Sequence, residues 1–317
     1  MDAEGPLFAC HLGGGRIYCF RNKGVELSKR QAEMTQNFLT FDIEEWYHAN
    51  YDSMGGKACR REDGSLERNV ERLLSACASF NVRTTCFVLG SVAEKKPQVV
   101  RRIHAAGHEI ASHGQSHRLV YRMSPEEFRK DTERAKKRLE DLTGQPVAGF
   151  RAACWSVSRS ILPWYYETLE SLGFCYSSSV FPVRNFLYGI PDFPAYPHVP
   201  RLAGQGTRII EIPGSVIRLM GQPIGYSGGF YLRLFPSWWI IQAMRNKNRL
   251  GIPVFVYLHP REVDPAQQRL RLGLRAGFIH YHNLRSTERK LKALMARFSF
   301  STMREYCEGF RDPHVSS

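Results

Sequence analysis

Two acidic side chains close a short apolar run, Asp42 and Glu44 in Thr40-Phe41-Asp42-Ile43-Glu44-Glu45. On a continuing strand, residues two apart point the same way. One carboxylate could then bind a cation while the other acts as a base. The plainer alternative is that both cap the next turn. A second group is Ser112-His113-Gly114-Gln115-Ser116-His117. Imidazoles four apart meet on one face of a helical turn. Neutral imidazole is a good ligand for zinc and similar ions. His104 and His108 share the spacing. Gly107 interrupts that pair, however, and His104 falls on a helix with an apolar face. His113 and His117 carry more weight because they directly follow a strand-like run.

Two further segments end apolar runs in the same way. Arg151, in Gly149-Phe150-Arg151-Ala152-Ala153-Cys154-Trp155, is either a surface charge or the partner of a buried carboxylate. His259 follows Val256-Tyr257-Leu258 and precedes Pro260. A lone histidine there is more often structural, unless several strands deliver their ends to one face.

The elements that must position these groups alternate. Phe38 to Ile43, Thr84 to Leu89, Glu109 to Ser112 and Ala148 to Arg151 read as strands. Tyr176, Ile209 to Ile212, Val254 to His259 and Phe298 to Thr302 are further candidates. Between them, Leu66, Val70, Leu73, Leu74 and Cys77 follow helical spacing. Ser124, Pro125 and Glu127 start a helix with a capping box that runs to Thr143 and stops at Gly144. Helices are also expected from about Arg159 to Leu172, Pro236 to Asn248 and Ser286 to Ala296. Repeated strand-then-helix units argue for an α/β fold with a mostly parallel sheet. Seven or eight such units suggest closure into a barrel, with chemistry on the loops after the strand C-termini. Residues 1–36 lack periodicity and read as an N-terminal extension, poor in order, ahead of one catalytic domain over 37–317.

Composition sets the outer limits. Apolar residues form 43% and charged residues 23% of 317, which is ordinary for a globular chain with one large core. The formal net charge of +14 would attract anionic partners, but Lys and Arg are spread along the chain and no nucleic-acid motif accompanies them. No nucleic-acid partner is therefore expected. The eight cysteines form no Cys-x-x-Cys pair, which points to a reducing compartment. No basic start precedes an apolar stretch and no run is long enough for a membrane span, so the expectation is a cytoplasmic protein without a transmembrane segment.

Taken together, the four segments resemble the ordered motifs of the polysaccharide deacetylase (NodB-homology) family. The resemblance spans about Phe38 to His259. It is nearest the branch associated with exosortase and exopolysaccharide operons, through Phe41-Asp42-Ile43-Glu44-Glu45-Trp46, Gly228-Gly229-Phe230-Tyr231 and His259-Pro260-Arg261-Glu262. It implies a distorted (β/α) barrel and a metal-dependent hydrolase acting on an N-acetylated polysaccharide. Asp42 matches the catalytic base, and Glu44, His113 and His117 match the ligands of a divalent metal, zinc foremost. Arg151 matches the arginine that orients the base. The Cys154 backbone N–H falls where the oxyanion is held, and His259 matches the general acid. Ala153 stands where relatives usually carry Pro. Ser177 stands where they carry an Asp that orients and charges the histidine, and Ser cannot supply that charge. Glu262 and Asp264 are the acidic candidates to replace it. Two other readings remain open: a non-catalytic glycan-binding relative, and a hydrolase of a small amide.

Overall fold

The computed structural model describes residues 35–48, 63–185, 188–202, 205–270 and 272–310. Most of the expected extension, residues 1–34, lies outside the described residues. Twelve strands occur among those described: β1 (Asn37–Ile43), β2 (Thr85–Val88), β3 (Glu109–Ser112), β4 (Gly149–Phe150), β5 (Tyr176–Ser177), β6 (Arg201–Leu202), β7 (Gln205–Gly206), β8 (Ile210–Glu211), β9 (Val216–Leu219), β10 (Gln222–Gly225), β11 (Phe255–Leu258) and β12 (Phe300–Ser301). Seven of them run in the order β11-β1-β2-β3-β4-β5-β8, and β12 pairs beside them on β1. Every pairing along this path is parallel. The sheet curls into a half-barrel covered by helices, as the alternation of elements predicts.

The helices bury one face each. Ser65–Ala78 (α1) buries Leu66, Val70, Leu73, Leu74 and Cys77, the periodic set read from the sequence. The other helices of use below are Gly90–Lys95 (α2), Pro97–Ala105 (α3), Pro125–Thr143 (α4), Leu162–Ser171 (α5) and Gly229–Leu234 (α6). The α4 capping box forms as expected, with Ser124 accepting from the Glu127 N–H and Gly144 ending the helix in the left-handed region. Among the described residues no helix is long and apolar enough to cross a membrane, and none of the five cysteines present forms a disulfide.

Strand alternation sorts β1 into two faces. Leu39, Phe41 and Ile43 join the core between sheet and helices, and Phe38 joins a second core inside the curl, with Phe87, Trp155, Tyr176, Phe255 and Tyr257. Thr40 and Asp42 therefore share the inner face with Phe38. The short loops after the strand C-termini gather at that same end.

No ladder joins β8 to β11 among the described residues. Ser215 Oγ instead accepts from Phe255 N at 3.0 Å, and Ser227 Oγ donates to Phe255 O at 2.7 Å. One parallel bridge links Gly228 to Tyr257. Any side chain at Gly228 would run into the Tyr257 ring and carbonyl. Gly228→Ala should therefore open the seam and lower stability by about 1–3 kcal/mol. Thermal unfolding would show a drop of several degrees; an unchanged midpoint would mean that the seam is compliant.

Candidate active site

The site is assembled at the C-terminal ends of the parallel strands. β1 carries Asp42 on its inner face, and the chain then turns, with Glu44 N donating to Asp42 O at 3.1 Å. Both carboxylates are buried and reach the same imidazole. His259 Nε2 lies 3.9 Å from Asp42 Oδ2 and 3.7 Å from Glu44 Oε1. Both side chains thus face inward together; they do not simply cap a turn.

His113 and His117 also converge, though not on the helical turn that their spacing suggested. The stretch is a loop after β3 in which Gly114 and His117 take left-handed φ values of 76° and 55°. Asp131 on α4 holds that loop by accepting from Gln115 N at 2.7 Å and from the Ser116 hydroxyl. The N-terminus of α2 holds it from the other side, through Gly90 N and Ser91 N on the carbonyls of Gly114 and Gln115. The rings end 5.4 Å apart, centroid to centroid. His113 Nδ1 donates to Arg151 O at 2.8 Å. This fixes the tautomer and leaves the Nε2 lone pair for a cation.

The donor set fits a metal ion. One ligand atom each from Glu44, His113 and His117 can be chosen so that all lie within 4.8 Å of one another, and all three residues are buried. Glu44 Oε2 sits 2.7 Å from His117 Nε2. Such a close approach of three ligand-bearing side chains is expected where they share a cation. Burial would push the Glu44 carboxyl up, but the His117, His259 and His113 imidazoles more than offset it and hold it well below its usual range. Burial pushes His113 down to about 4, so its ring is neutral, as a ligand must be.

Arg151 is the partner of a buried carboxylate and not a surface charge. Its Nη1 donates to Asp42 Oδ1 at 2.7 Å and to Thr40 Oγ1 at 2.9 Å. Its Nε and Nη2 donate to the carbonyl and hydroxyl of Ser178. The guanidinium lies 4.0 Å from the Phe87 ring centroid and 4.8 Å from that of Trp155. Trp155 is thus core packing. Glu211 fixes the loop that carries Ser178, accepting from Ser179 N and Val180 N at 2.7 and 2.8 Å. Cys154 adopts φ 52°, ψ 27°, a left-handed conformation that is uncommon without glycine and recurs at functional sites.

His259 receives its negative charge from an unexpected direction. Ser177, at the position of the missing Asp, bonds Tyr165 and Ser179 at 2.9 and 3.0 Å. The carboxylate beside the imidazole is Glu262, which accepts from His259 Nδ1 and from His259 N, both at 3.0 Å. Asp264, the other acidic candidate, accepts from Ala266 N instead. Glu262 is itself held by Arg233 Nε at 3.0 Å, in a fully buried pair. Burial disfavours charge on His259, but Glu262, then Glu44 and Asp42, raise its pKa above the usual value.

Sequence reasoning had no signal for Arg233, which is 29 residues from Glu262 in the chain. It also missed His48, which stacks on His117 at 5.8 Å and accepts from Glu45 N through Nδ1. The other pair with this spacing, His104 and His108, lies apart from the site. His108 is buried beside β2, where its Nδ1 accepts from Thr84 N at 3.2 Å.

Residues 56–170 match a family model described as polysaccharide deacetylase, and residues 178–308 match one described as a domain of unknown function (DUF3473). The chain is 29% identical over 106 residues to a peptidoglycan-N-acetylglucosamine deacetylase of Bacillus cereus, covering 33% of this chain and 38% of that protein. It is 38% identical over 56 residues to a chitooligosaccharide deacetylase of Sinorhizobium fredii, covering 18% and 26% respectively. The chain thus spans well under half the length of these curated relatives. A Mycobacterium smegmatis structure provisionally described as a polysaccharide deacetylase superposes with TM-score 0.55 at 22% identity, over 92% of this chain and 97% of that one. The PuuE allantoinase structure gives TM-score 0.55 at 17% identity, over 89% and 91%. At these identities the structural likeness speaks for the fold alone. Residues 56–170 are thus similar to the polysaccharide deacetylase family, and the curated relatives that this chain resembles are deacetylases.

Proposed function

We propose that the chain is a metal-dependent hydrolase that removes acetyl groups from N-acetylated sugars of a polysaccharide. The observation that carries this reading is the convergence of Glu44, His113 and His117, with Asp42 and His259 beside them. The catalytic unit is taken to run over residues 37–317. Zinc is the proposed ion, because two imidazoles and one carboxylate make a donor set that suits it and leave a position open. The exopolysaccharide branch is favoured by the Glu44 placement, by Gly228-Gly229 at the seam and by the His259-Pro260-Arg261-Glu262 turn.

An acetamide resists hydrolysis because its carbonyl is a poor electrophile and its amine a poor leaving group. A divalent ion held by Glu44, His113 and His117 would polarise the carbonyl and acidify a water. Asp42 would take the proton from the attacking water, and Arg151 aims its carboxylate. The Cys154 N–H adds a donor where negative charge develops on the carbonyl oxygen. His259 then gives its proton to the departing amine. Glu262 fixes the Nδ1–H tautomer so that Nε2 faces the bond that breaks. A carboxylate below the imidazole thus comes from Glu262, so Ser177 is no argument for an inactive relative.

The first test is acetate release from a chitooligosaccharide with added zinc. Asp42→Asn and His259→Ala should each lose roughly 100-fold or more in kcat while remaining folded. Equal activity in either variant would contradict its assigned role. Metal analysis gives the second. The wild type should bind roughly one ion per chain, whereas His113→Ala and His117→Ala should bind far less, and a chelator should stop turnover until zinc is restored. In the third, Glu262→Gln should lower kcat about 10-fold or more with little change in KM. A pure KM effect would make Glu262 a structural residue only.

A further inference from the structure

One flank of the barrel, formed by the helix Ser237–Arg249 (α7) and the β9–β10 hairpin, differs from the rest of the surface in charge. Between Glu211 and Glu262 the chain contains no Asp or Glu. Many exposed arginines elsewhere are paired, such as Arg72 with Glu288, Arg102 with Glu71 and Arg134 with Glu94. On this flank Arg218, Arg245, Lys247 and Arg249 have no carboxylate partner among the described residues. Arg218 donates to Gly221 O and Arg249 to the Asn246 side chain instead. The hairpin lies along the helix. Tyr226, just after β10, meets Trp239 at 6.3 Å near one end of α7. At the other end Lys247 is pushed below its usual value by burial and then by Arg218 beside it.

The same flank exposes large apolar groups. Eight such side chains are exposed among the described residues, and four of them are here: Met220 at the hairpin tip (96%), Trp238 (70%), Leu250 (53%) and Leu219 (49%). On α7 the spacing puts Trp238, Gln242, Arg245 and Arg249 on one outer stripe. Unpaired cations and large apolar groups thus alternate over one surface. A nucleic acid or an acidic glycan would match the cations but leave Met220, Leu219 and Leu250 without a partner. A bilayer with anionic headgroups matches both, because phosphates accept from the cations while apolar groups enter the acyl boundary. Tryptophan beside such cations suits the same interface. We propose that this flank docks on an anionic lipid surface, with α7 lying along the membrane plane. The last turn of α7 sits at the N-terminal ends of the strands, where Asn248 pairs with Asn37 at the start of β1. The catalytic residues lie at the opposite ends of the strands, so docking through this flank leaves them uncovered. The inference is independent of the deacetylase reading.

Vesicle sedimentation of the whole chain tests it. One set of vesicles is phosphatidylcholine alone, and the other is phosphatidylcholine and phosphatidylglycerol in equal parts. The protein should prefer the anionic set by about 10-fold or more, and added salt should erode the preference. Met220→Asp, and separately Arg245→Gln with Arg249→Gln, should each weaken that binding about 10-fold or more. Tryptophan emission should move to shorter wavelength on anionic vesicles, and Trp238→Phe should remove most of the shift. The variants should keep the wild-type unfolding midpoint, which separates lost docking from lost folding whether or not the protein releases acetate. Equal binding to both sets, or binding that neither variant weakens, would overturn the proposal. So would loss on the arginine changes alone, with Met220→Asp and the emission silent, since plain charge attraction would then suffice. A DNA duplex bound more tightly than the anionic vesicles would assign the flank to nucleic acid. A dimer in sedimentation velocity that Met220→Asp dissolves would assign it to a second copy of the chain. Either result would replace the lipid surface.

Discussion

Two carboxylates, Asp42 and Glu44, are buried within 4 Å of one imidazole nitrogen, and the surroundings are organised by that charge. Like charges at this range repel strongly where water is excluded. Each is matched at short distance. Asp42 has the Arg151 guanidinium, which itself packs against aromatic rings. Glu44 has three imidazoles. A cation between Glu44, His113 and His117 would complete the balance. Binding of such an ion and stability of this end of the barrel are therefore one physical problem.

The same logic explains the layers outside the site. Ser178 holds Arg151, and Glu211 holds the Ser179–Val180 backbone that follows it. Asp131 holds the histidine loop. Glu262 charges His259, and Arg233 keeps Glu262 ionised in a fully buried pair. Replacing the expected Asp at position 177 with Ser did not leave the imidazole without a carboxylate. A residue on the histidine's own turn serves instead, and a guanidinium from α6 compensates it. Removing either member of such a pair strands the other charge in the interior.

Much of this was legible in the chain. Strand-then-helix alternation gave the parallel, curled sheet, and the capping box at Ser124 and Glu127 placed α4 to within a residue. The strand-end positions of Asp42, His113, Arg151 and His259 were readable because a parallel sheet delivers strand C-termini to one face. The four-residue spacing of His113 and His117 suggested a helical turn, whereas the rings meet through a loop with left-handed φ at Gly114 and His117. Short elements escaped notice, among them α2, α6 and the hairpin of β9 and β10, because six or fewer residues carry too little periodicity. Arg233 escaped because its partner is remote in sequence, and no local pattern encodes such a contact.

One cation is expected to sit between Glu44, His113 and His117. Anomalous diffraction at the zinc edge, on crystals grown with zinc, tests it most directly. A single strong peak is expected at about 2.0–2.2 Å from a Glu44 carboxylate oxygen and from the Nε2 atoms of His113 and His117. A zinc peak held by other side chains, with these three pointing elsewhere, would contradict it.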